Sequence, residues 1–185
     1  MAQKNHTKTL ILTSIMMALI FLITYLLPFR IPGTSAYVNL GDSMIYSTGI
    51  FVAAPWAAVA SGLGSMLSDL ALGVPIYAPA TLVIKGLMGF VCALLIQLGR
   101  RRANQMEPAV SAQKKKGIGF GWFILGCVAG GAIMVVGYGV YEYFIMGGWS
   151  YVAVTIIPNL IQWAAGVAGA LILYYPLNMV RKTIR

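Results

Sequence analysis

The chain has 185 residues, of which 59% are hydrophobic and only 9% are charged. A soluble domain usually carries about 25% charged residues, and the apolar residues here form long runs without the periodicity of half-buried soluble elements. This composition excludes an ordinary soluble domain and predicts an integral membrane protein. Its spans should be α-helices, because each helix pairs its own backbone polar groups in lipid, and the sequence lacks the alternation of barrel strands.

The net charge of +9 would suggest nucleic acid binding in a soluble protein. The cations, however, lie in short segments between apolar runs and form no basic stretch interleaved with aromatic residues. Membrane topology therefore explains them, and we expect no nucleic acid partner. Cys92 and Cys127 fall inside apolar runs without the neighbours of a metal or redox motif, so we interpret both as buried apolar side chains.

A helix needs roughly 20 apolar residues to cross a bilayer. On this basis the apolar runs predict six transmembrane helices in a single domain. The first run, from Thr9 to Leu27, is too long for the apolar core of a signal peptide. A loop rich in proline and glycine follows and runs to Asn39. The stretch after Gly41 is interpreted as two short spans separated by a turn at Pro55. The predicted spans are 9–27, 41–54, 56–72, 80–98, 118–146 and 152–175, with a hydrophilic loop over 99–117.

The distribution of positive charge decides between five and six spans. With six, the two termini, the Pro55 turn and the 99–117 loop share one side, which holds every lysine and arginine except Arg30 and Lys85. With five, the cation-rich 99–117 loop would lie outside, against the positive-inside bias. The sequence therefore predicts an all-α bundle of six transmembrane helices, with both termini cytoplasmic.

Five ionisable residues remain that this topology does not require: Arg30, Asp42, Asp69, Lys85 and Glu142. In the six-span arrangement all of them lie in or beside the outer third of the membrane. A charge within a bilayer costs several kcal/mol, so such residues are usually paired and are often functional. Structural pairing, for example of Asp69 with Lys85, is an alternative, and Asp42 could instead stabilise a helix N-terminus.

Uncharged polar and aromatic side chains fall at the same level on helices 5 and 6. Tyr138, Tyr141 and Glu142 share one face of helix 5 at positions i, i+3 and i+4. On helix 6 the same spacing recurs from Asn159 to Trp163. An interfacial aromatic belt is the alternative for the tyrosines. Aromatic walls with a few amides and charges suit a flat, polar small molecule, so we predict a substrate pocket open to the outside. Its candidate residues are Asn39, Asp42, Asp69, Tyr77, Lys85, Tyr138, Tyr141, Glu142, Asn159, Gln162 and Trp163.

Catalytic and metal-binding motifs are absent from the sequence. It has no phosphate loop for ATP hydrolysis, no Ser-His-Asp set and no group of metal ligands, since its one histidine, His6, lies in the N-terminal tail. A membrane-embedded enzyme acting on a lipid would need carboxylates or histidines near the cytoplasmic face, where only Glu107 is found. We therefore expect a binding protein without a metal site; the enzyme and a purely structural assembly subunit are the alternatives.

Several local sequences resemble the substrate-binding S component of energy-coupling factor (ECF) vitamin transporters. Tyr37–Met44 resembles the family's segment leading into helix 2. Gly62–Leu70 and Pro79–Gly86 resemble its helix 3–helix 4 region, in the branch for hydroxymethylpyrimidine or vitamin B6-type substrates. Ser14 and Ala18 are similar to the family's Ala-x-x-x-Ala motif on helix 1, which contacts the transmembrane partner, although the first alanine is serine here.

The resemblance implies a transport subunit, not an enzyme, in the plasma membrane of a bacterial cell. This subunit would capture a vitamin outside and deliver it inward. Its partners would be the transmembrane coupling subunit EcfT and two ATPases, EcfA and EcfA′, which would hold the ATP and Mg²⁺, so this chain should carry no cofactor. The implied ligand is vitamin B6 or hydroxymethylpyrimidine, with pantothenate, folate, thiamine and riboflavin as alternatives. Glu142 or Asp69 would then bond a ring nitrogen, and Lys85 a phenolate. The ring faces and hydroxyls would contact Tyr138, Trp163 and Asn159.

Overall fold

The computed structural model describes residues 2–106 and 112–184, and for 2–5 and 112–118 it describes the backbone alone. Six α-helices form a bundle. A two-stranded antiparallel hairpin connects the first two helices, and a π-helical turn at Tyr143–Gly147 connects the last two. The all-α class is confirmed, whereas the hairpin lies in a segment predicted as a loop. In chain order the elements are α1 (Ala2–Leu26), β1 (Phe29–Arg30), β2 (Tyr37–Val38), α2 (Asp42–Thr48), α3 (Ala54–Ala71), α4 (Ala78–Gln105), α5 (Ala112–Glu142) and α6 (Trp149–Thr183).

The helices at the basic end extend beyond their predicted limits. α4 continues to Gln105 and α5 begins at Ala112, so most of the predicted hydrophilic loop over 99–117 is helical. Residues 107–111 of this loop, which include Glu107, lie outside the described residues. α6 passes through Pro176 to Thr183, and its 35 residues span about 52 Å, well beyond a hydrocarbon core of about 30 Å. The predicted limits follow the apolar runs, which indicate where a helix leaves the lipid. The helices themselves continue beyond those points.

The short helix α2 lies at the centre of the bundle. All its residues are buried, and it contacts each of the other five helices. Glycines on α6 allow a close approach: a Cβ at Gly166 would lie 2.9 Å from the Asp42 Cβ, and one at Gly169 would lie 2.3 Å from the Ser43 hydroxyl. With 7 residues α2 is about 10 Å long, so the helix alone is too short to cross a bilayer.

Four helices, α1, α4, α5 and α6, are long and apolar enough to cross a membrane. Large apolar side chains cover the outside of the bundle, including Leu26, Phe144 and Ile172. A soluble monomer rarely exposes apolar surface on this scale. These findings agree with a multi-pass membrane protein, whereas the count of six spans and the cytoplasmic position of the termini remain predictions.

Contacts between distant segments gather the basic parts of the chain at one end of the bundle. The ring of His6 packs against Trp56, with centroids 6.0 Å apart. Arg100 donates a hydrogen bond to the Ile50 carbonyl oxygen at 3.1 Å, and Lys8 contacts the carbonyl oxygen of Ile184, directly after α6. The N-terminal segment, the α2–α3 turn, the end of α4 and the end of α6 thus lie together. The sequence assigns the same four segments to the cytoplasmic side.

Candidate functional site

A cavity lies at the end of the bundle opposite to the basic segments. It has a volume of about 430 Å³ including its open mouth, and little of this space is wide enough for a water molecule. A larger ligand therefore requires the lining side chains to move apart. The lining comes from the segment between α1 and α2, the segment before α4 and five of the helices. Its residues are Thr24, Ala36, Tyr37, Asn39, Ser65, Asp69, Tyr77, Thr81, Lys85, Tyr138, Glu142, Asn159 and Gln162.

The β1–β2 hairpin lies beside this cavity and is tied to neighbouring elements. Arg30 donates a hydrogen bond to the Leu72 carbonyl oxygen, and the Ser35 backbone N–H donates to the Tyr151 hydroxyl, both at 3.0 Å. The turn contains Gly33 with a φ of 77°, a conformation that glycine adopts without strain. Arg30 therefore anchors the hairpin to the end of α3, and the hairpin places the residues that follow it against the cavity.

An ion pair joins α4 to α2 at the cavity. The Lys85 Nζ lies 2.5 Å from the Asp42 Oδ1, and both side chains are almost completely buried. Gln162 of α6 donates to the other carboxylate oxygen of Asp42 at 2.8 Å. Its side-chain oxygen accepts a hydrogen bond of 2.9 Å from the Asn39 backbone N–H. We call Asn39, Asp42, Lys85 and Gln162 the ion-pair network. It connects α2, α4, α6 and the loop before α2 through paired groups.

The ion-pair network corrects the pairing suggested by the sequence. Lys85 forms its ion pair with Asp42 and not with Asp69. Asp42 does lie in the first turn of α2, but its carboxylate contacts α4 and α6 and does not merely stabilise its own helix. Asp69 instead accepts a hydrogen bond from Tyr37. The sequence pattern could not reveal this, because it depends on the central position of α2 and on the hairpin.

Three lining residues have buried polar atoms that lack a hydrogen-bond partner within the described parts of the chain. These atoms are the Ser65 Oγ and Asp69 Oδ2 on α3 and the Asn159 Nδ2 on α6. The other oxygen of Asp69 accepts a 2.5 Å hydrogen bond from Tyr37, whose pKa is raised by burial, so the phenol keeps its proton. An unsatisfied buried polar group costs about 1–3 kcal/mol. We call Ser65, Asp69 and Asn159 the unpaired set; such atoms beside a cavity are suited to a ligand.

Glu142 uses both carboxylate oxygens within the protein. Tyr77 donates to one oxygen at 3.0 Å and Thr155 donates to the other at 2.5 Å. The rings of Tyr77 and Tyr138 meet edge to face with centroids 6.1 Å apart. The Tyr138 hydroxyl lies 2.9 Å from the Thr81 hydroxyl. This side of the cavity is therefore an aromatic wall whose polar groups have internal partners.

Most of the residues predicted to bind the substrate meet in this cavity. Asp42 lies directly behind Lys85. Two others are absent from the lining: the Tyr141 hydroxyl donates to the Ile76 carbonyl oxygen, and the Trp163 indole donates to the Cys127 carbonyl oxygen at 3.2 Å. Helix periodicity places Tyr141 and Trp163 on the polar faces of their helices, but it does not show how each helix is rotated relative to the cavity. The predicted residues in the lining are Asn39, Asp69, Tyr77, Lys85, Tyr138, Glu142, Asn159 and Gln162.

Other lining residues were not predicted from the sequence. The sequence spacing could have identified two of them. Ser65 precedes Asp69 by four residues and Thr81 precedes Lys85 by four, so each pair lies on one helix face. Tyr37 carried no such signal, since the hairpin brings it to the cavity. The missed residues are Thr24, Ala36, Tyr37, Ser65 and Thr81.

The residues predicted to contact a membrane partner lie on the outer surface of α1. Ser14 and Ala18 are both exposed, and they form one stripe with the exposed side chains of Ile11, Ile15 and Leu22. The small residues create a shallow depression between larger apolar ones, a surface that allows close approach of another helix. The position suits the predicted interface, and the contact itself remains a prediction.

A helical membrane bundle with a polar cavity at one end is suited to binding a small polar molecule. A family model described as "ECF-type riboflavin transporter, S component" matches residues 4–179. The chain therefore belongs to this family of S components, and its role is in vitamin transport with ECF partner subunits. A protein of Pyrococcus woesei, named "Uncharacterized protein in gap 3'region", is 31% identical over 144 residues, which cover 78% of this chain and 84% of that protein.

Proposed function

We propose that this S component captures a single-ring heteroaromatic vitamin, either a form of vitamin B6 or hydroxymethylpyrimidine, from outside the cell. The observation that carries the proposal is the narrow cavity, in which Tyr37, Tyr77 and Tyr138 accompany buried amides and charged groups. Small-molecule sites combine such walls with a few polar groups that set the orientation of the ligand. A single ring with hydroxyl or amino substituents matches the polarity of the cavity, and it would displace the lining side chains less than a larger vitamin would.

Riboflavin is the second candidate, because the matching family model carries its name. Riboflavin has three fused rings and a polyhydroxyl chain, so it would require a much larger displacement of the lining than a single ring does. Little of the cavity is wide enough even for water, so the ligand that displaces the lining least is favoured. Pantothenate, folate and thiamine are further alternatives.

In the proposed mechanism the chain supplies binding and its partners supply energy. The vitamin enters at the outer end, and the S component associates with EcfT through the stripe on α1 that contains Ser14 and Ala18. EcfA and EcfA′ hydrolyse ATP with Mg²⁺, and the S component topples in the membrane to release the vitamin inside. The exposed stripe on α1 and its position away from the cavity lining support this division of roles.

Calorimetric titration of the purified chain with a panel of vitamins tests the ligand. We expect binding of pyridoxine, pyridoxal, pyridoxamine or hydroxymethylpyrimidine, and much weaker binding of riboflavin, thiamine, folate and pantothenate. Mass spectrometry of the small molecule that co-purifies with the chain provides an independent identification. Tight binding of riboflavin without a response to the four single-ring compounds rejects the proposed ligand.

Replacement of Ala18 by tryptophan tests the partner surface. The indole would fill the depression on α1, so co-purification with EcfT and vitamin uptake should be lost while vitamin binding by the isolated chain is unchanged. Ala132→Trp is the matched control, since Ala132 is an exposed alanine on α5. Uptake that survives Ala18→Trp contradicts the proposed interface.

A further inference from the structure

We propose that Asp69 determines the specificity of the cavity by accepting a hydrogen bond from a ring nitrogen that carries a proton. The inference rests on the proposed function, since it assigns a role within the same site. It also chooses between the two carboxylates, Asp69 and Glu142, that the sequence left open for such a contact. The choice follows from the partners of each carboxylate and from the balance of charge around the cavity.

The partners of the two carboxylates differ. Both oxygens of Glu142 accept short hydrogen bonds from protein hydroxyl groups. Asp69 has a hydrogen bond to one oxygen only, and its Oδ2 is a buried acceptor without a partner in the described part of the protein. The Thr81 hydroxyl lies close enough to interact with Asp69 and is 2.9 Å from the Tyr138 hydroxyl, but the Asp69 Oδ2 still has no partner within hydrogen-bond distance among the described residues. Asp69 is therefore the carboxylate with a free acceptor for a ligand.

The charges that line the cavity favour a ligand with a positive group. Lys85 is held by Asp42 at 2.5 Å and acts on Asp69 only from a greater distance. Asp69 and Glu142 are hydrogen-bonded by neutral hydroxyl groups. Burial of a carboxylate without a nearby cation is costly. A protonated ring nitrogen would supply both the missing charge and the missing donor at Asp69.

The other members of the unpaired set define the rest of the ligand pattern. The Asn159 Nδ2 is a donor from α6, so it requires an acceptor such as a ring hydroxyl or phenolate oxygen. The Ser65 hydroxyl lies one turn before Asp69 on α3 and can donate or accept. Asp69, Ser65 and Asn159 are all at least nine-tenths buried. A hydroxypyridine with a protonated nitrogen and an anionic oxygen satisfies both the acceptor of Asp69 and the donor of Asn159.

A pair of ligands that differ only at the ring nitrogen tests the inference. Pyridoxine and its benzene analogue, in which C–H replaces the nitrogen, are titrated into the wild-type chain and into Asp69→Asn and Glu142→Gln. Loss of a hydrogen bond to a charged group lowers affinity by about 10- to 100-fold. We expect Asp69→Asn to cause this loss for pyridoxine and to change binding of the analogue little. Glu142→Gln should affect both ligands equally, because its role is within the aromatic wall.

If Asp69→Asn lowers the affinity for pyridoxine and for its benzene analogue equally, the inference is overturned. The proposed identity of the vitamin is not affected by that result. Wild-type protein that binds neither pyridoxine nor hydroxymethylpyrimidine, but binds another vitamin, overturns the proposed function and the inference together. Thermal unfolding shows whether Asp69→Asn folds. If it does not, Tyr37→Phe replaces it, since this variant retains the carboxylate and must keep the preference for pyridoxine over its analogue. Loss of that preference also overturns the inference.

Discussion

The ion-pair network and the unpaired set belong to the same cavity but differ in how their polar atoms are used. In the network, the Asp42 carboxylate has partners on both oxygens, and the Lys85 ammonium has a partner as well. In the unpaired set, each residue keeps a buried atom without a partner in the described residues. Burial alone therefore does not identify a ligand contact. Paired groups hold helices together, whereas unpaired groups retain the capacity to bind something else.

The cost of each arrangement explains why both occur. A buried ion pair stabilises the protein only when its geometry and remaining hydrogen bonds are good, and Gln162 supplies one of these bonds. An unpaired amide or hydroxyl lowers stability, so its presence at a cavity makes sense where a ligand repays the loss. The two clusters therefore predict opposite effects of substitution on stability and binding.

The largest expected effect is that of Lys85→Met on folding. The substitution leaves the buried Asp42 carboxylate without its cation, and breaking such a pair costs about 3–5 kcal/mol. Thermal unfolding of the purified protein in detergent should show a strongly lowered midpoint. The double variant Lys85→Met, Asp42→Asn should recover part of the loss, because the stranded charge is removed. An unchanged midpoint in the single variant would contradict the structural role of the network.

Asn159→Leu should have an intermediate effect, which concerns vitamin binding and not stability. Leucine removes the unpaired donor at nearly constant size, so vitamin affinity should fall by about tenfold while the unfolding midpoint stays the same or rises. Asn178→Leu is the matched control on the same helix, since the Asn178 amide bonds the Tyr174 carbonyl oxygen. A loss of stability that parallels the loss of binding would place Asn159 with the paired groups.

The smallest effect is expected for Trp163→Phe. The indole lies outside the cavity lining, and its hydrogen bond to Cys127 links α6 to α5. Loss of this bond should lower stability by about 1 kcal/mol and leave the calorimetric affinity for the vitamin unchanged. A marked fall in affinity without a change in stability would restore the ligand contact that the sequence predicts for this residue.

The amino-acid sequence is sufficient to predict the class of fold and the region of the polar cavity. Long apolar runs with few charges require helices in lipid, because only internal pairing satisfies the backbone there. Two observations predict a polar cavity at one end of the bundle. The first is the set of ionisable residues that the topology does not require, and the second is the shared helix face of Tyr138 and Glu142 on α5. Apolar runs, charge counts and the spacing of residues on one helix depend only on the sequence. They can therefore be evaluated without knowing how the helices pack.

The packing of the helices sets which polar atoms of the described residues have hydrogen-bond partners and which have none. Whether Lys85 meets Asp42 or Asp69 depends on the position of α2 within the bundle, and the Tyr37 contact depends on the hairpin. The rotation of α6 decides that Gln162 lines the cavity while its neighbour Trp163 packs against Gly131. Hydrogen bonds and buried ion pairs act over a few ångströms. Their partners are therefore set by helix rotation, tilt and loop path, which residue spacing does not specify.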